Sequence, residues 1–277
     1  MLRPRLLDGE TLLVELPTTM RSLGTTVYGG GLAWIDSAIF KKVDKCFSNP
    51  SPQEYARSIA TMVRRNPAVF LTAADVSEYI YVALERDGVR VEAIATVGLT
   101  HPACIGLEPR GIRGVGTINI FLATDLGLDE TGITDLFRSV SEAKAGIISI
   151  LGLSCEGLPA VGTVSDATVV ASPPGTNTYA GLGTTVGFLA ASAVLEIIRR
   201  HMLRRDSKDY LRYMGLERSS GHHGIEAREL LIKRLSLLIT QLRRLAIIPW
   251  IDDESFEEIR RALENLGERR DCGEAEK

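Results

Sequence analysis

The sequence predicts an α/β fold of α+β character: a mixed β-sheet with hairpins, covered by helices and followed by a C-terminal helical extension. Two runs rich in β-branched and aromatic residues, 79–84 and 89–97, flank Arg86-Asp87-Gly88, which is a hairpin signal. Helical patterns stand between such runs, including a long apolar stretch at 184–205. Hairpins mixed with helices favour a mixed sheet over a purely parallel barrel.

The other elements are predicted in chain order from local patterns. Short apolar runs predict strands at residues 12–16, 68–72, 117–122 and 168–171. Ser51, with Pro52 and Glu54 behind it, predicts the capped start of a helix. Thr134 is predicted to cap a second helix that runs to about residue 151.

Composition divides the chain into a glycine-rich region, residues 1–205, which is expected to be a compact catalytic body, and a charged extension, residues 206–277. Residues 201–277 hold 30 of the 67 charged residues but only 5 of the 26 glycines. Helical spacing of apolar residues at 230–245 and at 256–266 predicts two amphipathic helices, and the tail after Gly267 is predicted to be disordered. These helices either dock on the body or form the interface of a homo-oligomer.

Charge and hydropathy exclude several classes of protein. The formal net charge is −3, and there is no basic face for nucleic acid. The apolar stretch at 184–198 is too short to span a bilayer, and the charged N-terminus is no signal peptide, so a soluble cytoplasmic protein with no membrane partner is expected. Four scattered cysteines are accordingly predicted to be reduced thiols: Cys46, Cys104, Cys155 and Cys272.

Two early blocks contain candidates for a reactive site. Gly29, Gly30 and Gly31 expose backbone N–H groups that suit an oxyanion or phosphate, although three glycines also suit a tight turn. Asp75 follows the predicted strand that ends at Thr72, where open sheets place ligands, but it equally suits a helix N-cap.

Two further candidates follow the hairpin. His101 is a candidate general base at neutral pH with Cys104 as a nucleophile beside it, or an ordinary loop residue. Asn119 alternates with the apolar Ile118 and Ile120 in a predicted strand, so its amide needs a partner, either substrate or protein.

The last block combines Glu142-Ala143-Lys144 with Asp166 and Tyr179. Glu142 and Lys144 are two residues apart on a helix and do not face each other, so an acid–base pair arises only across elements. His222-His223 has no further ligand at metal-binding spacing, and no metal site is expected.

Taken in series, these blocks resemble the adenosylcobinamide amidohydrolase family over residues 12–200. The resemblance rests on Arg21 to Gly31, Thr72-Ala73-Ala74-Asp75, Gly98-Leu99-Thr100, Gly116-Thr117-Ile118-Asn119-Ile120, Glu142-Ala143-Lys144, Gly162-Thr163 with Ser165-Asp166-Ala167, and Tyr179-Ala180-Gly181. It implies hydrolysis of the amide between the corrin side chain and aminopropanol of adenosylcobinamide, giving adenosylcobyric acid and 1-aminopropan-2-ol in cobalamin salvage. No cofactor is expected, because the corrinoid partner is the substrate and carries its own cobalt.

The resemblance is broken at two positions. The family's Gly-Thr-Gly-Thr-Asp-like stretch is Gly162-Thr163-Val164-Ser165-Asp166 here, and His101 stands where a small residue is common. These changes motivate an alternative, a non-catalytic corrinoid-binding homologue. A second alternative is an amidase that acts on another bulky amide, and a third is an assembly module built on the C-terminal helices.

The residue types in the shared blocks lead to a mechanistic hypothesis. Amide hydrolysis needs an activated nucleophile, a stabilised oxyanion and a protonated leaving amine. Asp75 and Asp166 are the candidate acid and base for attack by water, and the N–H groups around Gly29 to Gly31 are the candidate oxyanion hole. Asn119 and Thr72 are expected to orient the substrate amide, and His101 adds an ionisable group.

A covalent route is left open, and so is the surface that contacts the corrin. Thr72, Ser22 or Thr163 would supply the nucleophilic hydroxyl if a base lies nearby. Among the aromatic residues, Tyr179 is the main candidate to pack on the corrin, together with Tyr28 and Trp34, although some of these rings are expected to be core.

Overall fold

The computed structural model describes residues 2–44, 47, 49–107, 117–155 and 158–204. The strands are β1 Arg3–Asp8, β2 Thr11–Gly24, β3 Gly31–Lys42, β4 Pro67–Thr72, β5 Ile80–Arg86, β6 Val89–Val97, β7 Pro102–Cys104, β8 Ile118–Thr124, β9 Ser154–Cys155, β10 Leu158–Thr163 and β11 Ala167–Ser172. The helices are α1 Pro52–Thr61, α2 Glu130–Ile150 and α3 Thr185–Leu203, with a 3₁₀ turn at Val76–Glu78. None of the described helices is both long and apolar enough to cross a membrane.

Eight strands form one mixed sheet, which confirms the predicted fold class. Its order is β4-β3-β2-β11-β8-β6-β5, with β1 added alongside β2. The pairs β3–β4 and β8–β11 are parallel, because α1 and α2 respectively connect them, and the other pairs are antiparallel. A small second sheet has the order β7-β10-β9.

The hairpin between β5 and β6 forms as the sequence predicts. Asp87 has φ 51° and Gly88 has φ 73°, so both residues of the two-residue loop are in the left-handed region that a type I′ turn requires. Register then pairs Arg86 with Val89 at the turn.

The sheet curls so that the end of its edge strand β4 reaches β6 and β8, where Thr72 bonds Thr96 and the carbonyl of Leu71 accepts from Asn119. The long strand β2 pairs with β1 over residues 11–15 and with β11 over residues 21–24, and a bulge lies between. An apolar core fills the inside of this curl, where Phe40 and Phe70 stack with ring centroids 4.4 Å apart. Because β4 approaches β8, residues at the ends of several strands meet at one end of the sheet.

Helices cover the outer faces. The apolar faces of α2 and α3 pack on the outside of β5, β6, β8 and β11, and α1 covers β3 and β4. The side chain of Thr184 caps α3 by accepting from Gly187 N, in agreement with the predicted start.

Some local predictions were wrong. Asp129, not Thr134, caps α2, and the hydroxyl of Thr134 instead donates to the carbonyl of Glu130 one turn earlier. Ser51 precedes α1 but makes no side-chain capping bond. Strands β1, β3, β7, β9 and β10 were not predicted, and the proposed extension, residues 206–277, lies outside the described residues.

Candidate active site

Asp166 lies in the turn between β10 and β11, with every direction of its carboxylate occupied. Oδ1 accepts from the N–H of Ile118 at 2.8 Å and from the hydroxyl of Thr163. Oδ2 accepts from the N–H of Thr163 at 3.0 Å and from Nζ of Lys144 at 2.6 Å. A carboxylate has about four lone-pair positions, so these donors leave none free to take a proton from water. Asp166 therefore joins α2 to the ends of β8 and β10.

Gly162 allows this cluster to pack. A Cβ at this position would lie 2.3 Å from Oδ2 of Asp166 and 3.2 Å from Nζ of Lys144. The side chains of Lys144 and Asp166 are 14% and 9% exposed, so neither has open solvent to retreat into. The pair is a largely buried ion pair, in which removing one partner would strand the other charge.

Asn119 is fully buried and braces the closed side of the sheet. Its Nδ2 donates to the carbonyl of Leu71 on β4 at 3.0 Å, and its Oδ1 accepts from the N–H of Ala167 and the hydroxyl of Thr117, each at 3.1 Å. The amide thus links three strands. The sequence allowed either substrate or protein as the partner of this amide, and in the structure its partners are protein groups.

Thr72, at the end of β4, is also fully buried. Its hydroxyl lies 3.1 Å from that of Thr96 on β6 and accepts from the N–H of Ala74 at 3.1 Å. Thr96 pairs with Asn119 across β6 and β8, so the two buried polar groups are neighbours. Thr72 and Asn119 thus form one polar patch at the end of the core.

Asp75 caps the 3₁₀ turn that follows Thr72. Its Oδ1 accepts from the hydroxyl of Ser77 at 2.7 Å and from the N–H of Ser77 at 2.9 Å, and its Oδ2 lies 3.3 Å from Nζ of Lys42. The hydroxyl of Ser77, followed by its N–H and then by Lys42, lowers the pKa of Asp75. Asp75 is therefore ionised at neutral pH, which suits a base and not an acid.

His101 is exposed and has φ 61°, a left-handed conformation that favours glycine and that Asn, Asp and His adopt more often than other residues do. Its carbonyl accepts from the N–H of Val164 at 3.2 Å, so the loop before β7 lies against the turn that carries Asp166. The two departures from the family pattern are therefore in contact. Among the described residues, positive φ is confined to His101, Asp87 and glycines, so Val164 occupies its position without backbone strain.

Ser22 and the three glycines belong to the hairpin between β2 and β3. Ser22 is buried, and its hydroxyl donates to the carbonyl of Ala33 at 3.3 Å. Gly29 and Gly31 have φ 69°, and a Cβ on Gly29 would lie 2.6 Å from the carbonyl oxygen of Pro67. Turn geometry and close packing account for these glycines, and their use as an oxyanion hole stays a prediction.

Tyr179 is not brought to the Asp166 cluster. It is 77% exposed, and the next residue, Ala180, donates to Oδ2 of Asp135 at 2.8 Å. Asp135 precedes Lys144 by nine residues on α2, which corresponds to about 13 Å along the helix axis. A bulky ligand would have to span this distance to contact both.

The prediction of reduced thiols is wrong for two cysteines, because Cys104 and Cys155 form a disulfide. They are 51 residues apart, so spacing gave no signal; they meet because β7 and β9 flank β10. The bond removes Cys104 as a candidate nucleophile. Cys46 and Cys272 lie outside the described residues, as do His222 and His223, and no group of three or more potential metal ligands occurs in the part described.

Comparison with known proteins identifies the family. The family model described as adenosylcobinamide amidohydrolase matches residues 4–209. A protein named adenosylcobinamide amidohydrolase from Halobacterium salinarum is 32% identical over 195 residues, covering 66% of this chain and 80% of its own length. Another of that name from Methanosarcina mazei is 30% identical over 188 residues, covering 63% and 86%.

The chain belongs to the adenosylcobinamide amidohydrolase family. It is an enzyme, a hydrolase of a C–N amide bond. Two solved structures are more distant. A β-aminopeptidase from Burkholderia sp. has 14% identity and a TM-score of 0.35, over 68% of this chain and 77% of that one. The PH0078 protein of Pyrococcus horikoshii has 13% identity and a TM-score of 0.36, over 73% and 81%.

Four of the seven sequence blocks that resemble the adenosylcobinamide amidohydrolase family meet at one end of the sheet. Thr72, Asn119, Thr163 and Asp166 are connected there, directly or through one intervening residue. The sequence missed Lys144 as a member of this group, although its block was noticed. One signal in the sequence could have indicated it, because Lys144 has no charged partner within its own block. Glu142, the acidic residue of that block, pairs with Arg138 at 2.8 Å.

Proposed function

We propose that this amidohydrolase cleaves the amide that joins aminopropanol to the corrin side chain of adenosylcobinamide. The products would be adenosylcobyric acid and 1-aminopropan-2-ol, and the acid would re-enter cobalamin synthesis by salvage. Membership of the family supports the substrate. Four of the sequence blocks converge around Asp166, Asn119 and Thr72, and this convergence supports placing the active site there.

In this proposal Asp166 positions Lys144. The ammonium of Lys144 has three N–H donors, Asp166 accepts one, and no other residue in the described part of the chain accepts from it. A cation held rigidly in a largely buried position is suited to stabilise the negative charge that develops on the carbonyl oxygen during attack. Asp166 then contributes by fixing that cation.

Water attack needs a base, and the leaving amine needs an acid. Asp75 is the proposed base, because its lowered pKa keeps it ionised and it follows Thr72 at the same end of the sheet. His101 is the proposed acid, because its side chain is exposed beside the Asp166 turn and its ring N–H can donate a proton. Thr72 and Asn119 would support the floor on which the substrate amide rests.

Other parts of the proposal concern partners and location. The corrinoid supplies its own cobalt, so no separate cofactor is proposed. Cytoplasmic location, the two-domain division at residue 205 and a homo-oligomer through residues 206–277 stay predictions. Trp34 is 47% exposed and has the guanidinium of Arg21 5.4 Å from its ring centre, so it is the aromatic ring we would first test for corrin packing.

The test is to incubate the purified full chain with adenosylcobinamide and to look for adenosylcobyric acid by mass spectrometry. Lys144→Met should lower kcat by about 100-fold or more, as expected for loss of a group that stabilises the oxyanion. Glu142→Gln is the matched control: it lies two residues away on the same helix, pairs at the surface with Arg138, and should keep normal turnover.

The outcomes separate the assignments. No product from the wild type would refute the proposed reaction, and release of an amine from another bulky amide in a substrate panel would replace it. Product formation with equal turnover by Lys144→Met would keep the reaction but remove Lys144 from the chemistry. Asp166→Asn is expected to lower turnover as Lys144→Met does, because Asp166 acts by positioning Lys144.

A further inference from the structure

The hydroxyl of Thr26 is buried without a partner. Thr26 is 8% exposed, and among the described residues its Oγ1 and Oγ of Ser172 are buried hydroxyl oxygens for which the structure offers no hydrogen bond. Native proteins satisfy the great majority of such groups, and an unpaired one calls for a specific explanation. Burial of an unpaired hydroxyl destabilises the fold, so retention of one suggests another use.

Thr26 lies at the same end of the sheet as the Asp166 cluster. Thr25, just before it, is bonded to the start of β11: its N–H donates to the carbonyl of Thr168 at 2.9 Å, and its hydroxyl accepts from the N–H of Thr168 at 3.1 Å. Thr168 comes two residues after Asp166. The neighbour of Thr26 on one side is therefore the strand that begins at the candidate site.

Two residues after Thr26, the chain contacts β4. Tyr28 forms an antiparallel bridge with Val69, whose N–H donates to the carbonyl of Tyr28 at 2.9 Å. Two residues further along β4, the carbonyl of Leu71 accepts from Asn119. Thr26 therefore lies between a contact of its chain with β11, made by Thr25, and a contact with β4, made by Tyr28.

The backbone at Thr26 is held in place by the glycine turn. A Cβ on Gly30 would lie 2.3 Å from the carbonyl oxygen and 3.2 Å from the nitrogen of Thr26. A Cβ on Gly29 would lie 2.6 Å from the carbonyl oxygen of Pro67. The turn thus packs directly against Thr26, and this close packing gives the run of glycines a role that does not require them to bind an anion.

We propose that the Thr26 hydroxyl contacts the substrate, donating a hydrogen bond to the carbonyl oxygen of the amide that is cleaved. The inference rests on the proposed amide hydrolysis. A hydroxyl fits this contact because it is neutral, has one donor and rotates to suit. Fixed by its backbone and left without a protein partner, it is ready to bond the carbonyl oxygen without first breaking another bond.

The experiment compares Thr26→Val with Ser172→Ala. Valine has the shape of threonine without its hydroxyl, so Thr26→Val should melt at the wild-type temperature or above, while kcat/KM for adenosylcobinamide falls about tenfold or more. Ser172 pairs with Arg21 at the opposite end of β11 and serves as the matched control. Ser172→Ala should behave likewise in melting and keep wild-type kcat/KM, and Thr26→Ser, which restores a hydroxyl, should recover most of the activity.

Each outcome is decisive. A Thr26→Val protein that melts several degrees below wild type would mean that the hydroxyl has a structural partner, and the inference would be overturned. Wild-type kcat/KM in Thr26→Val would overturn it as well, while leaving the proposed reaction intact. A wild type that neither turns over adenosylcobinamide nor melts at a higher temperature in its presence would overturn the proposed function and this inference together.

Discussion

Replacing Gly162 with alanine tests how tightly the ion pair beside it is packed. The new Cβ would lie 2.3 Å from Oδ2 of Asp166, and ordinary contacts begin at 3.4 Å, so that oxygen must retreat by about 1 Å. The retreat breaks the bonds that Oδ2 accepts from the N–H of Thr163 at 3.0 Å and from Lys144 at 2.6 Å. The substitution therefore acts on the cluster without removing any of its members.

The size of the effect follows from those two bonds. Each hydrogen bond to a charged group contributes about 1.5–3 kcal/mol, and the reduced flexibility of alanine in the unfolded chain returns about 0.4–1 kcal/mol. The expected loss is therefore about 2–5 kcal/mol in the free energy of unfolding. For a domain of this size, that lowers Tm by roughly 5–15 °C.

Thermal and urea unfolding of Gly162→Ala measure this loss, and Gly146→Ala is the matched control. Gly146 is exposed on α2 with no atom within 4 Å of a built Cβ, so alanine there should raise stability by about 0.5–1 kcal/mol through helix propensity. The reasoning is refuted if the two variants melt at similar temperatures. It would also fail if Gly162→Ala kept both wild-type stability and wild-type turnover.

Two further predictions concern stability. The pKa of Glu196 is lowered to about 2, first by the hydrogen bond from Arg199 and then by Arg200. Its ionised form therefore stabilises the fold fully above the ordinary pKa of 4.5, and that contribution is lost as the pH falls towards about 2. Glu196→Gln should thus lower the free energy of unfolding by about 1–2 kcal/mol at pH 7, after allowance for partial exposure, and should not change it near pH 2. Urea unfolding across this pH range measures the difference, and an equal loss at both ends would contradict the prediction. A reducing agent should lower the Tm of the wild type, because a disulfide that closes a loop of this length contributes about 2–4 kcal/mol. Cys104→Ala should have the lower Tm with or without the reductant. A wild-type Tm that does not respond to the reductant would contradict the presence of the bond.

Local chemistry made part of the fold predictable. The hairpin at Asp87-Gly88 requires two positive φ angles, and these residue types accept them, so the turn could be predicted from four residues. The start of α3 at Thr184 likewise depends on one hydroxyl and one N–H three residues later. By contrast, Asp129 and Thr134 are both acceptable caps for α2, and only the contacts of the surrounding loop decide between them.

The sequence marked several residues of the candidate site, but neither Lys144 nor the arrangement of the group. Residue types and their order in the family blocks are enough to mark Asp75, Asp166, Asn119 and Thr72 as candidates. Their partners come from other strands and helices: Lys144 reaches Asp166 across 22 residues, and Asn119 reaches Leu71 across 48. Such pairs leave no periodic signal in the chain, since neither residue constrains its own neighbours.

By itself, the sequence determined the family, the mixed sheet with its hairpin and helices, and the residue types available for amide chemistry. The tertiary structure alone decided that Asp166 is saturated by four donors, that Tyr179 lies away from it, that Cys104 meets Cys155, and that the Thr26 hydroxyl is left unpaired. The physical reason is that hairpins and caps arise from bonds within a few residues, whereas these features appear only when the curled sheet and α2 bring distant segments into contact.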